Sequence, residues 1–371
     1  ETLFTQIARL SKDQASLSTF TIAGVVRRPL IRVGFRVKKQ AINGQKREIL
    51  VGLFQQSRTA GKGYQLRPQI TKPQHVAIIG GGIAAACAAY ALTKNGVKVT
   101  LYCKDNSVAQ GASSNDIGAL YPLLHQKQDD ISLFYEQAFW YAKKCYQDLY
   151  QQGYHFEHDW CGLLDIAFKP TLQKHQQQFE ELNVWPNKLI YGVDHVEASK
   201  LANIPLNFGG LYIPAAGWIA PADLVNALFD AANNTNRLRI ETNVHITEIN
   251  QIKQAEDFSS QESAQTQKNW QLTSSKADFK ASVLIICAGA DSIKINVVNQ
   301  LPLSSVRGQV SSMRSNDKLS DLSTVLCHKG YLTPANKKQQ HCIGATFNKN
   351  SFDIETSETD DHYNIDMLNN C

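Results

Sequence analysis

The sequence predicts an α/β protein whose main domain is built on a parallel sheet of the Rossmann type. A short apolar strand at 76–79 is followed directly by three glycines and a small-residue helix over 83–95. A second strand, 97–102, comes soon after that helix. A further apolar strand within 282–289 ends at a glycine, as expected for a strand that returns to the same sheet.

The glycine turn has the pattern of a dinucleotide-binding site. Gly80, Gly81 and Gly82 let the backbone turn tightly and approach a pyrophosphate, which binds free amides at the helix N-terminus. Ala85 takes the third small position, where a larger side chain would push the helix away from the strand. The predicted pyrophosphate contacts are Gly80, Gly81, Gly82, Ile83, Ala84 and Ala85.

One element of that pattern is absent. A carboxylate about 20 residues beyond the glycines normally binds the ribose hydroxyls at the end of the second strand. Cys103 occupies that position, and Asp105 follows two residues later. Either Asp105 reaches back to the ribose or other groups hold it. Asp105 is therefore a candidate ribose ligand.

Length and charge indicate several domains and a basic N-terminal block. The 371 residues, 43% of them hydrophobic, suffice for two or three packed domains. Residues 1–75 contain 14 Lys and Arg against three acids, whereas the whole chain has a net charge of only +5. A basic block beside an acidic domain indicates a polyanionic partner, and an ordinary solvated basic face is the alternative.

Cysteine usage and hydropathy indicate a cytoplasmic protein. The eight cysteines are scattered without a C-x-x-C pair, which favours reduced thiols over a disulfide framework. No signal peptide is visible, and glycines interrupt the one long apolar run, so no membrane span is predicted. His155 and His158 lack a third ligand at useful spacing, and no metal site is predicted.

Residues 1–54 predict a short α/β segment. The pattern is a first helix, a strand at 17–21, a helix at 23–33 and strands at 35–39 and 47–53. The turn at 42–45 contains the Asn-Gly pair of a tight hairpin. Residues 55–74 are polar, lack periodicity and are predicted to be a linker. Both chain ends fall in helical patterns, so we expect a fragment of a longer protein.

The second domain is predicted to begin at His75. An amphipathic helix over 131–152 carries Phe134, Phe139, Trp140 and Tyr146, which we assign to the core. Strands are predicted at 238–241, 245–251 and 270–274, with a disordered hairpin loop at 255–268.

A small polar loop, GASSNDIGA, covers residues 111–119. Such residues let backbone amides and hydroxyls approach phosphate or a flat ring closely. Two-domain flavoproteins place a returning strand late in the chain, after an inserted substrate domain, so this loop and the strand at 282–289 favour FAD over NAD. The candidate flavin contacts are Ala112, Ser113, Asn115, Gly118, Ala119 and Leu120.

These motifs, with YIPAAGWIAPADLVNAL, CAGA, VRGQV, GYLTPA and CIGATF, occur in the order seen in a known group. The chain resembles FAD-dependent amine oxidases of the D-amino-acid and glycine oxidase group. GALYPLL, HDWCG and the pair VRGQV and GYLTP resemble the oxidoreductase half of the bifunctional tRNA 5-methylaminomethyl-2-thiouridine biosynthesis family. Residues 18–54 resemble the end of that family's methyltransferase half.

The resemblance implies a fold and its domains. It implies an FAD-binding Rossmann-like domain with an inserted mixed α+β substrate domain, preceded by the C-terminal remnant of an α/β methyltransferase domain. The expected boundaries are 1–54 for the remnant, 55–74 for the linker and 75–371 for a C-terminally incomplete oxidoreductase domain. Substrate-domain segments are expected near 155–235 and 300–350.

The resemblance also implies a substrate, a tRNA wobble uridine that carries a carboxymethylaminomethyl group. FAD would oxidise the amine C–H bond beside the carboxylate, and hydrolysis of the imine would release glyoxylate. The other half would methylate the remaining aminomethyl group with S-adenosylmethionine. The S-adenosylmethionine loop would lie upstream of Glu1 and a segment closing over the flavin beyond Cys371, so we expect no methylation by this chain.

The catalytic residues are unknown at this stage, because hydride transfer places most of the chemistry on the cofactor. Arg307 and Tyr331 are candidates for the substrate carboxylate, with an inter-strand ion pair and a packed aromatic as the alternatives. Candidate contacts to tRNA phosphates are Arg27, Arg28, Arg32, Arg36, Lys38, Lys39, Lys46 and Arg47.

Two other functions remain open from the sequence. One is an oxidase of a free small amine or amino acid, for which the basic N-terminus would be irrelevant. The other is a tRNA-binding module whose flavin fold is catalytically silent.

Overall fold

The structure is a computed structural model that describes residues 2–42, 45–55, 73–252 and 269–369. The chain divides into two compact units, Glu1–Thr71 and Lys72–Cys371, each described by itself. Most of the predicted linker, the predicted loop at 255–268 and the tip of the predicted hairpin at 43–44 lie outside the described residues.

The first unit contains α1 (Thr2–Leu10), β1 (Ser16–Thr19), α2 (Gly24–Arg32), β2 (Phe35–Ile42) and β3 (Gln45–Phe54). Its strands form an antiparallel sheet in the order β1-β3-β2. Leu30, Phe35 and Phe54 form the core, with the two phenylalanine rings 4.9 Å apart. The predicted elements of residues 1–54 are present in order, with their ends moved by a few residues.

The second unit begins with a strand, a helix and a strand around the glycine turn. Its elements in chain order are β4 (His75–Ile79), α3 (Ile83–Lys94), β5 (Lys98–Tyr102), β6 (Gly118–Leu120), α4 (Asp130–Gln151), β7 (His158–Asp159), β8 (Leu163–Ile166), α5 (Pro170–Leu182), β9 (Tyr191–Val193), α6 (His195–Ala202), β10 (Gly210–Ile213), β11 (Gly217–Ile219), α7 (Pro221–Asn233), β12 (Leu238–Glu241), β13 (Ile246–Ile252), β14 (Asn269–Ser274), β15 (Phe279–Ala281), β16 (Leu284–Ile286), β17 (Val306–Arg307), β18 (Val310–Arg314), β19 (Val325–Cys327), β20 (Tyr331–Leu332), β21 (Gln340–Gly344), β22 (Asn348–Lys349) and α8 (Glu358–Asn369).

A parallel sheet carries the glycine turn. Its order is β12-β5-β4-β16, and all neighbouring strands are parallel, so their carboxyl ends lie at one edge. The late strand predicted within 282–289 is β16, and it pairs with β4 through Leu284 and Ala77. Its residues are half-buried. The Rossmann-type fold predicted from the sequence is confirmed.

The alanine-rich helix α3 packs closely on the sheet and on α7. Ala85, Ala86 and Ala89 are fully buried, as are Leu224 and Leu228 of α7 in the same cluster. Small side chains on one helix let the larger ones of its neighbour fill the space between them. This packing holds the first turn of α3 beside the end of β4.

A larger mixed sheet forms the other part of the unit, in the order β18-β21-β20-β19-β8-β10-β9. Strands β19 and β8 are parallel, and the other neighbours are antiparallel. One face contributes Leu163, Val325 and Cys342 to a cluster that also contains Ile117. The opposite face packs Leu164, Leu326 and Ile343 against α6 and α8.

The core assignment on α4 is partly wrong. Phe139 and Tyr146 are buried and Trp140 is half-buried, but Phe134 is 67% exposed. The buried positions 132, 139, 146 and 149 follow one stripe of the helix, and Phe134 lies off that stripe. The helix starts one residue early because the Asp129 side chain accepts a hydrogen bond from the Ser132 amide at 2.8 Å.

The described cysteines are Cys87, Cys103, Cys145, Cys161, Cys287, Cys327 and Cys342, and each is a free thiol. Within the described ranges, no helix is both long and apolar enough to span a bilayer.

A stability prediction follows from the two glycines at 80 and 111, which both have positive φ. A Cβ at Gly80 would lie 2.2 Å from the Cys287 carbonyl oxygen, whereas a Cβ at Gly111 would meet nothing within 4 Å. We expect Gly80→Ala to lower the unfolding free energy by about 3 kcal/mol or more, because strain and a backbone clash combine.

Gly111→Ala is the matched control and should cost only about 1–2 kcal/mol, the strain of the left-handed backbone alone. Urea unfolding of the two variants measures the difference. Equal losses would contradict the close approach of β4 and β16.

Candidate cofactor site

The glycine turn is held between the strands on both sides of β4. The Gly80 amide donates to the Tyr102 carbonyl at 2.9 Å, and the Cys287 amide donates to the Ile79 carbonyl at 2.7 Å. Gly80 has a φ of 120°, a conformation that favours glycine. The turn is therefore fixed by β5 on one side and by the segment after β16 on the other.

The start of α3 provides amides for an anion. The first amides of a helix have no acceptor within it. The Ile83 amide donates to Ser113 Oγ at 3.1 Å, which leaves the amides of Ala84 and Ala85 to bind a phosphate. A Cβ at Gly82 would lie 3.0 Å from that same Ser113 Oγ, so the absence of a side chain keeps this space open. These residues fit a dinucleotide pyrophosphate.

The loop at 111–119 connects the turn to the mixed sheet. Gly111–Ser114 forms a short 3-10 turn, in which Ser113 is buried and Ala112 is exposed. Asn115 follows it, and Gly118, Ala119 and Leu120 form β6, which pairs with β11. The Tyr331 hydroxyl donates to the Ile117 carbonyl at 3.5 Å, which ties this loop to β20.

The thiol of Cys103 is buried at the position where the sequence pattern predicts a ribose-binding carboxylate. Cys103 is only 2% exposed, and its Sγ donates to the Ser107 carbonyl at 3.4 Å. A Cβ at Gly81 would lie 2.6 Å from that Sγ, so the thiol fills the space behind the turn. Burial raises the pKa of Cys103 and keeps it neutral. Asp105 is half-buried, and its carbonyl accepts a hydrogen bond from the Asn243 amide at 2.8 Å.

Arg307 lies in an ion pair with helix α8. Its guanidinium bonds to the Asp360 carboxylate, to the Glu355 carbonyl and, at 3.1 Å, to Gln309 Oε1. The hydrogen bond that Arg307 donates to Asp360 raises the pKa of Arg307. This environment matches the ion-pair alternative, although the partner is a helix rather than a strand. A role for Arg307 in binding a substrate carboxylate remains a prediction.

Tyr331 lies on the face of the mixed sheet that packs against Ile117. Its hydroxyl is 3.7 Å from Cys342 Sγ, and burial raises the pKa of Tyr331, so the hydroxyl stays a donor. The structure places this donor beside the loop at 111–119. Its contact with a substrate also remains a prediction.

Sequence reasoning missed a carboxylate on the same sheet face. Asp165 is in register with Cys327, which is in register with Tyr331. Loss of hydration raises the pKa of Asp165 to about 6, although the residue is exposed to solvent. The neighbouring Cys327, burial and Asp165 raise the pKa of Tyr121 to about 12. An Asp inside the apolar run GLLDIAF was the available signal.

His158 lies in an aromatic cluster. Its ring centroid is 4.9 Å from that of Tyr150 and 5.3 Å from that of Trp160. Among the residues that the structure describes, no three His, Cys, Asp or Glu side chains are grouped to hold a metal ion.

The basic candidates of the first unit lie at its surface. Arg27 and Arg28 on α2 and Lys38 and Lys39 on β2 are exposed, as are Arg32 and Arg36. Lys39 Nζ lies 3.4 Å from a Glu48 carboxylate oxygen. The side chains of Lys46 and Arg47 lie outside the described residues.

Comparison with known families divides the chain in two. Residues 75–370 match the FAD dependent oxidoreductase family, and residues 1–55 match an S-adenosyl-L-methionine-dependent methyltransferase family. The solved glycine oxidase from Bacillus cereus has a similar fold, with a TM-score of 0.66 and 18% identity over 80% of this chain and 77% of that one.

Two curated relatives match the chain from end to end or nearly so. The tRNA 5-methylaminomethyl-2-thiouridine biosynthesis bifunctional protein of Pseudoalteromonas translucida is 35% identical over 100% of this chain and 53% of its own length. Its counterpart in Pseudoalteromonas atlantica is 37% identical over 96% of this chain and 55% of its own length. The chain therefore spans about half the length of these relatives.

A cofactor prediction concerns Gly82. Its φ of −89° suits any residue, so a substitution acts through the space that it fills. We expect Gly82→Val to abolish FAD binding, because the branched side chain occupies the pyrophosphate position, and Gly82→Ala to be intermediate. Titration of the chain with FAD, followed by flavin fluorescence, measures this. Wild-type affinity in Gly82→Val, with an unchanged unfolding midpoint, would place the pyrophosphate elsewhere.

A pH prediction concerns Asp165. Its folded pKa of about 6 exceeds the unfolded value of 3.8, so the folded state binds a proton more tightly between these values. Stability from this group therefore falls as the pH rises from 4 to 6 and stays reduced above 6. We expect the unfolding temperature of Asp165→Asn, relative to wild type, to be higher at pH 8 than at pH 4. An equal difference at both pH values would show that Asp165 is not desolvated.

Proposed function

The chain belongs to the FAD-dependent oxidoreductase family, and we propose that it oxidises an amine carried by a tRNA wobble uridine. The observation that supports this most strongly is the order of the two family matches, methyltransferase and then oxidoreductase, in a chain that aligns throughout with the bifunctional tRNA-modifying relative. A free-amine oxidase would need no such first segment.

We propose the conversion of 5-carboxymethylaminomethyl-(2-thio)uridine to 5-aminomethyl-(2-thio)uridine. Bound FAD would accept a hydride, and thus two electrons, from the methylene carbon between nitrogen and carboxylate. Water would add to the resulting imine, and cleavage of the carbon–nitrogen bond would release glyoxylate. In the whole protein, we propose that S-adenosylmethionine then donates a methyl group to the new amine.

In this proposal the chain's own residues bind and orient the cofactor. The amides of Ala84 and Ala85 hold the pyrophosphate beside Gly82, and Ser113 stabilises the helix start that presents them. The proposed cofactor contacts are Gly80, Gly81, Gly82, Ile83, Ala84, Ala85, Ala112, Ser113, Asn115, Gly118, Ala119 and Leu120.

We propose that the substrate carboxylate binds at the mixed sheet. Tyr331 is the better supported contact, because its hydroxyl already lies beside the loop that leads to β6. Arg307 would first have to exchange the Asp360 carboxylate for that of the substrate. The substrate domain would comprise segments near 155–235 and 300–350, which include all seven strands of the mixed sheet.

The polyanionic partner is proposed to be tRNA. Arg27, Arg28, Lys38, Lys39 and Arg47 are the proposed phosphate contacts, and Arg27, Arg28, Lys38 and Lys39 are exposed. Such contacts position a nucleic acid without reading its bases. With tRNA as the substrate, we also propose a cytoplasmic location.

The test is mass spectrometry of tRNA nucleosides after incubation with the full-length protein, with and without S-adenosylmethionine. We expect the aminomethyl nucleoside and glyoxylate to accumulate when S-adenosylmethionine is omitted, because methylation follows oxidation. A protein without bound flavin serves as the control.

Two outcomes would contradict the proposal. Oxidation of free glycine or sarcosine at a rate matching tRNA turnover would favour the small-amine oxidase. A purified full-length protein that binds tRNA but shows no flavin absorbance would favour the catalytically silent module.

A further inference from the structure

The groups at and after position 103 do not readily supply the missing ribose carboxylate. The Cys103 thiol is neutral, buried and packed behind Gly81. The Val244 and Asn243 amides bind the carbonyls of Cys103 and Asp105, each at 2.8 Å. These bonds tie the segment after β5 to the residues after β12, which lies on the side of β5 opposite β4. The Asp105 backbone is thus bonded to the residues after β12, whereas Cys103 and Val108 on either side of it pack against Gly81.

Another carboxylate lies at the edge where the turn is found. Asp291 belongs to the short turn Gly289–Lys294 that follows β16. Lys104, two residues beyond the end of β5, places its Nζ 2.7 Å from Asp291 Oδ2. Because β4 lies between β5 and β16, this ion pair joins the two segments that flank the residues after β4. It therefore crosses the edge of the sheet from which Gly80 begins the turn.

Asp291 is held as an ionised acceptor. Partial burial opposes its ionisation, but hydrogen bonds from Lys104 and Lys294 lower the pKa of Asp291. Lys294 Nζ lies 2.7 Å from Oδ1, so each carboxylate oxygen has one lysine partner. An ionised carboxylate offers about four lone-pair positions, so both oxygens keep capacity for a hydroxyl donor.

Stability does not account for this arrangement. The Lys104 side chain is 53% exposed and that of Asp291 is 30% exposed. Ion pairs this accessible contribute little to folding, because solvent screens them and two long side chains lose freedom. Two lysines on one carboxylate do, however, fix its position before a ligand arrives, which is what a pre-organised hydrogen-bond acceptor needs.

We propose that Asp291 binds the hydroxyls of the adenosine ribose of FAD, in place of the carboxylate that position 103 lacks. Lys104 and Lys294 are positioning residues that hold the carboxylate at the carboxyl edge of the sheet. Their ammonium groups also offset the negative charge of the adjacent pyrophosphate. The proposal rests on FAD as the cofactor and is independent of the tRNA substrate.

The test measures FAD affinity in the full chain and needs no turnover. FAD and two analogues, lacking the 2′- or the 3′-hydroxyl of the adenosine ribose, are titrated into wild type, Asp291→Ala and Asp105→Ala. We expect wild type to bind at least one analogue about 10-fold more weakly than FAD, because a hydrogen bond to a charged group is lost. Asp291→Ala should bind FAD about 10-fold more weakly than wild type and should no longer distinguish that analogue from FAD.

Asp105→Ala tests the rival ribose ligand, and we expect this variant to keep the wild-type discrimination. The ratio of two affinities on one variant cancels any general loss of folding, so a destabilised variant still gives an answer. Three results would each overturn the proposal. They are an Asp291→Ala variant that still distinguishes FAD from the analogue, an Asp105→Ala variant that no longer does, and a wild type that does not distinguish them. A failed tRNA assay would leave these affinities unchanged, so the two proposals fail separately.

Discussion

The close approach of three strand ends around Gly80 is the constraint on which the rest of the second unit depends. The Cys287 carbonyl occupies the space where any other residue would place a Cβ, and hydrogen bonds from both neighbouring strands fix the backbone on either side. Only a glycine allows this approach. As a result β16, more than 200 residues further along the chain, is joined to the same edge as β4 and β5.

The loop at 111–119 links the glycine turn to the mixed sheet. Ser113 binds the first amide of α3, and the Ile117 carbonyl binds the Tyr331 hydroxyl. One segment thus contacts the cofactor cradle and the sheet face that bears Tyr331, Cys327 and Asp165. In the proposed reaction, a substrate amine and a flavin ring would meet at such a junction, because hydride transfer requires contact between the two reacting atoms.

Three residues depart from the expected pattern, and each departure has a local physical cause. Cys103 packs behind Gly81, and the neighbouring Lys104 pairs with the carboxylate of Asp291 from the turn after β16. Arg307 is engaged by α8, which the helical pattern near the chain end predicted as a helix but could not place against β17. Phe134 is exposed because the buried stripe of α4 follows a different set of positions.

The sequence by itself determined the local elements and the class of cofactor. Short-range patterns predict β4, the glycine turn, α3, β5 and the helix-and-strand order of residues 1–54, since apolar periodicity and glycine positions act within a few residues. Only the tertiary structure decided which distant groups meet, such as Lys104 with Asp291, Tyr331 with Ile117, and Asp165 with Cys327. Such contacts depend on strand order and register, which long-range packing sets and which no short window of the sequence contains.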